Sequence, residues 1–107
     1  MKNIIAIHTT LANIDDARKI AMILMDQKLI ACAQISSPME SIYRWQDKLE
    51  TAIEYTLTVK TTEDAAQQVI AVIENNHPYD VPEVVGQRLT FSAKNYQQWL
   101  EAEVKYD

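Results

Sequence analysis

Ser41-Ile42-Tyr43-Arg44-Trp45-Gln46-Asp47-Lys48-Leu49-Glu50-Thr51-Ala52-Ile53-Glu54-Tyr55-Thr56-Leu57-Thr58-Val59-Lys60 is the stretch that decides the fold. Ile42, Tyr43 and Trp45 have the β-branched and aromatic character of a strand. Tyr55, Leu57 and Val59 alternate with Glu54, Thr56, Thr58 and Lys60, the period of two of a strand with one buried face. Gln46-Asp47 is the turn between them, so the stretch reads as a long β-hairpin.

Upstream, Ile4–His8 is short and β-branched and predicts a first strand. Asn13 or Asp15 can cap a helix in which Ala17, Ile20, Ala21 and Leu24 recur at helical spacing, fading near Gln27-Lys28. Leu29–Ile35 is an unbroken apolar run that suits a covered strand, interrupted by Pro38 before the hairpin. Downstream, Thr61-Thr62-Glu63-Asp64 reads as a Thr-capped helix start with acids in its first turn. Ala66, Val69, Ile70 and Ile73 supply the stripe of that helix, which must stop at Asn75 or Asn76 because Pro78 forces the residue before it out of the helical region. Val81, Val84, Val85 and Leu89 mark a further strand, and Ser92 can cap a short last helix holding Tyr96, Trp99 and Leu100. The order β-α-β-β-α-β plus a terminal helix predicts a single α+β domain over 1–107, a ferredoxin-like split βαβ antiparallel sheet with two helices on one face.

Composition removes several function classes. The formal net charge of −5 argues against nucleic acid and against an anionic membrane surface, both of which need clustered cations. Gly86 is the only glycine, so no glycine-rich phosphate loop can exist. Cys32 is the only cysteine; no intrachain disulfide can form and a reducing, cytoplasmic setting is expected. The apolar run after Met1 is too short for a signal sequence or a membrane span. His8 and His77 are the only bases of suitable pKa, and neither lies in a nucleophile motif, so no enzyme activity is expected.

The segment His77-Pro78-Tyr79-Asp80-Val81-Pro82-Glu83 concentrates polar and aromatic groups on a connector stiffened by two prolines. Such a connector is where a scaffold places function, or it is a plain helix-to-strand link.

Several segments, taken in order, resemble the CutA family of divalent-ion tolerance proteins. They are Ala17-Arg18-Lys19-Ile20-Ala21, Lys28-Leu29-Ile30-Ala31-Cys32, Ser41-Ile42-Tyr43-Arg44-Trp45, Lys48-Leu49-Glu50, Val59-Lys60-Thr61-Thr62, His77-Pro78-Tyr79 with Val81-Pro82-Glu83, and Tyr96 with Trp99-Leu100. The resemblance implies a ferredoxin-like fold, a homotrimer in which the long hairpin extends a neighbour's sheet, and a likeness to the nitrogen-regulatory PII proteins. A closed ring would also cover hairpin edges that otherwise invite uncontrolled pairing. The family usually has Gly where this chain has Asp47, a substitution that costs about 1 kcal/mol where φ is positive.

The resemblance further implies binding of a divalent cation, copper or zinc, not needed for folding. Copper sites of some bacterial relatives resemble a Cys at the end of the first strand plus a His pair before Pro-Tyr. Those positions are His8 and Asn76-His77 here, a change toward Cu(II) or Zn(II) ligation, with Glu83 as an oxygen donor. His8, His77 and Glu83 are therefore the candidate metal ligands. The alternative is a PII-like sensor of a small molecule or anion, using an intersubunit cleft of Tyr43, Trp45, Lys60, Tyr79, Pro82 and Glu83. A third reading is a structural trimer that presents a surface to a protein partner of unknown identity.

Overall fold

The structure, a computed structural model, describes residues 1–106; Asp107, the last residue of the expected domain, lies outside the described residues. The elements in chain order are β1 (Ile4–Leu11), α1 (Ile14–Asp26), β2 (Cys32–Ile35), β3 (Met39–Trp45), β4 (Lys48–Thr62), α2 (Ala66–Asn76), β5 (Val84–Leu89) and α3 (Lys94–Glu103). All strand pairs are antiparallel, in the order β2-β4-β1-β5, with β3 also on β4. This is the expected α+β arrangement.

β4 is fifteen residues long and pairs with three strands. Tyr55–Thr62 lie against β1, and on the other edge Leu57–Lys60 lie against β2. Lys48–Glu54 lie against β3 and form the long hairpin. The radius of gyration, 14.5 Å, exceeds the about 13 Å of a compact chain of this length, and the longest dimension is 45 Å. The projecting hairpin accounts for that elongation.

Alternation along the strands sorts the two faces. Ile5, Ile7, Leu11, Leu57 and Val59 point to one side and pack on Ala17, Ile20 and Leu24 of α1 and Val69, Val72 and Ile73 of α2. Each fully buried aliphatic of this set contributes about 1.5–3 kcal/mol. α3 closes one end, where Leu100 and Val104 meet Ile4, Ala31 and Ala65. Gly86 lies opposite Ile7, and a Cβ placed there would approach the Ile7 Cγ1 to 2.9 Å. The lone glycine is thus a close-packing device.

Several boundaries differ from the sequence reading. β1 runs on to Leu11 because Thr10 and Leu11 keep pairing with Thr56 and Tyr55. Leu29–Ala31 precede β2, since α1 ends in a tight turn: Lys28 takes φ 56°, and the Lys28 and Leu29 amides return to the Met25 and Leu24 carbonyls. Thr61 and Thr62 belong to β4; a short 3-10 turn over Glu63–Ala65 precedes α2, and the Thr62 hydroxyl donates to the Asp64 carboxylate instead of capping a backbone amide. β5 starts at Val84, three residues beyond the expected Val81, because the proline-bearing loop cannot join a ladder. Ser92 donates to the Gln97 side chain, and Ala93 holds the N-cap of α3. Asn13 caps α1, accepting the Asp15 amide at 2.8 Å.

The hairpin turn carries strain at both central residues: Gln46 has φ 50° and Asp47 φ 63°. Replacing the pair with Asn-Gly is expected to raise stability by about 1 kcal/mol in urea unfolding. An unchanged or lower midpoint would show that the turn holds no strain.

Candidate functional site

β4 leaves the cover of β1 after Tyr55, so Glu54 is its first residue beyond that partner. The 77–83 loop fills in there. α2 ends at Asn76, whose side chain turns back to the Val72 carbonyl, and His77 takes the extended conformation that Pro78 demands. The His77 ring then fixes the loop at two points. Its Nε2 donates to the Thr10 carbonyl at 3.0 Å, and its Nδ1 accepts the Tyr79 amide at 3.2 Å. Those partners require a neutral ring with the proton on Nε2. Burial pushes the His77 pKa below its usual value, although the Thr10 hydrogen bond and the charges of Asp16 and Glu54 pull the other way.

Tyr79 turns toward the sheet and donates to Glu54 Oε2 at 2.7 Å. A hydrogen bond to a charged acceptor is worth about 1.5–3 kcal/mol. Glu54 is only 6% exposed. Burial alone would raise its pKa, but the Tyr79 hydrogen bond and the neighbouring hydroxyls of Ser41 and Thr10, with the nearby His77, hold the carboxyl below its usual range. The Tyr79 phenol is pushed well above the usual phenol range, first by burial and then by Glu54. The pair at neutral pH is therefore phenol and carboxylate. At the far end of the loop, Glu83 Oε2 lies 3.5 Å from His8 Nε2.

Hairpin and loop enclose an open cavity of about 390 Å³ over Glu54, walled by Thr10, Ser41, Tyr43, Tyr79 and Glu83. A second part of about 220 Å³, sharing Tyr43 and Tyr79 with the first, is bordered also by Trp45 and Asp80. Of the expected cleft residues, Tyr43, Trp45, Tyr79 and Glu83 come together within one chain. Pro82 lines neither part, and Lys60 is directed to Gln34 Oε1 at 3.1 Å. Glu54 is the residue the sequence reading missed; it stands in the polar phase of β4, where a carboxylate reads as solvent-facing, and nothing local signals the Tyr79 hydroxyl above it.

The expected metal ligands divide between partners. His8 meets Glu83, while both nitrogens of His77 are occupied by the backbone. Among the described residues, no group of three His, Cys, Asp or Glu side chains is disposed to hold a metal ion. One chain therefore offers a nitrogen–oxygen pair, short of the four donors of a closed zinc site.

The neutral state of folded His77 has a pH consequence. Its stabilising contribution is complete above the ordinary value of 6.5 and is lost as pH falls through the lowered folded value. Urea unfolding at about pH 7.5 and pH 5.5 is expected to show a larger loss for the wild type than for His77→Gln. Equal losses would contradict this placement of the proton.

The family model described as CutA1 divalent ion tolerance protein matches residues 5–103. The divalent-cation tolerance protein CutA of Thermus thermophilus is 38% identical over 84 residues, covering 78% of this chain and 82% of that one. The chloroplastic protein CutA of Arabidopsis thaliana is 32% identical over 97 residues, 91% of this chain; the chain spans only 53% of that relative's length. The crystal structure of divalent ion tolerance protein CutA1 from Ehrlichia chaffeensis superposes with a TM-score of 0.93 at 36% identity, covering 99% of both chains. No helix among the described residues is long and apolar enough to cross a membrane. With the matched model running from the first strand through the last helix, this chain belongs to the CutA1 divalent ion tolerance family.

Proposed function

We propose that this chain is a cytoplasmic homotrimeric binding protein, without enzymatic activity, that contacts divalent cations weakly through His8 and Glu83. The observation that carries the metal reading is the 3.5 Å approach of those two side chains. Zn(II) or Cu(II) suits an imidazole–carboxylate pair, with water or another copy completing the coordination. His77 positions the loop and joins a metal site only by giving up the Thr10 carbonyl or the Tyr79 amide. The homotrimer reading is supported by Ile42, Leu49 and Ile53, which stand exposed on the hairpin, and by membership of the family.

A second reading is favoured by the cavity itself: its size is that of a small-molecule site, in the manner of a PII-like sensor. Lys60 is engaged outside the cleft, which disfavours the anion form of that reading.

Calorimetric titration with Zn(II) and Cu(II) tests the first reading. Weak binding is expected in the wild type, lost in His8→Ala and kept within about threefold in His77→Ala, a difference under 1 kcal/mol. No binding by the wild type, or loss in His77→Ala alone, would overturn it.

A further inference from the structure

We infer that the cleft between the hairpin and the 77–83 loop binds a small organic ammonium ion. Its nitrogen sits against Glu54 and Glu83, and its carbon chain runs out between Tyr43 and Trp45. This rests on the second reading above, that the cleft takes a small molecule, and supplies the chemical class.

Two independent features of the walls select that class. The inner part is floored by Glu54, nearly buried and ionised, with Glu83 beside it. A desolvated carboxylate is stabilised by a positive charge that also donates hydrogen bonds. The outer part presents the rings of Tyr43, Trp45 and Tyr79 together with Asp80. Aromatic faces attract cations through the negative face of the ring, the recognition mode used for alkylammonium ligands. Among the described residues of one chain, no Lys or Arg lines either part, while three carboxylates do, so these walls favour a cation over an anion. Within one chain Tyr43 and Trp45 are 45% and 43% exposed, so their rings are not packed into its own core. A bare metal ion makes no use of the aromatic walls.

The experiment is a calorimetric and NMR titration of the full-length protein with n-butylammonium chloride, alongside sodium butyrate, sodium chloride and ZnCl2. Saturable binding of butylammonium with shifts at the Trp45 indole N–H is expected, with none for butyrate. Tyr43→Ala and Glu83→Gln, both at solvent-accessible positions, should each weaken it about tenfold, as loss of one cation–π or charge-assisted contact implies. Glu54→Gln is a third variant, read only if its circular dichroism matches the wild type. Binding of butyrate without butylammonium would sink this inference while leaving a small-molecule site standing. Binding of neither would sink both. Zn(II) binding alone would leave only the metal reading. Butylammonium binding that Tyr43→Ala and Glu83→Gln both leave unchanged would place the amine elsewhere and likewise overturn the inference.

Discussion

The antiparallel pairing of β4 is the constraint on which everything else depends. One half of this strand is held on both edges, by β1 and β2, and buries Leu57 and Val59 against the helices. The other half keeps β3 on one edge and has no partner from β1 on the other. The change of regime falls at Glu54. A strand that loses its neighbour there leaves a notch beside the sheet, and the 77–83 loop occupies it. The cleft is therefore a product of strand lengths: β1 stops at Leu11, β4 continues, and a proline-stiffened connector spans the gap.

Polar contacts tie the loop over that notch. His77 ties it to the end of β1, Tyr79 to Glu54, and Glu83 to His8. Such contacts specify geometry more than they add stability, because each replaces a hydrogen bond to water. They also make the loop sensitive to protonation. Below the ordinary histidine range His77 gains a proton and loses its acceptor for the Tyr79 amide; further down, Glu54 loses the charge that Tyr79 holds. The same carboxylate that anchors the loop gives the cavity its negative floor, so structure and recognition share one residue.

The periodicities of the chain made the architecture readable. The alternation through Tyr55, Leu57 and Val59, the stripe Ala17-Ile20-Ala21-Leu24 and the stop at Pro78 each reflect a local rule, and each reappears in the fold. Boundaries were less legible where tertiary pairing outweighs local preference, as at Thr61 and Thr62, which look like a helix cap and serve as strand. Positive φ at Lys28 and Gln46 was invisible, since neither is a residue that favours it. At the site, family resemblance nominates Tyr43, Trp45, Tyr79 and Glu83 for a cleft between subunits, and within one chain these four line two neighbouring cavities. Lys60, nominated with them, reaches Gln34 on a different strand of the same chain, a pairing that no local pattern displays. Glu54 was hidden for the same reason: its burial depends on a tyrosine 25 residues away.

The half of β4 that outruns its own body leaves Leu49 and Ile53 exposed, and the proposed homotrimer covers them with another copy of the chain. Hydrogen–deuterium exchange across β4 tests that claim most directly. If a second copy seats against the hairpin, amides of Lys48–Ile53 exchange as slowly as those of Tyr55–Thr62. Rapid exchange of Lys48–Ile53, beside full protection of Tyr55–Thr62 in a folded protein, would show the hairpin to be a free arm and contradict the account.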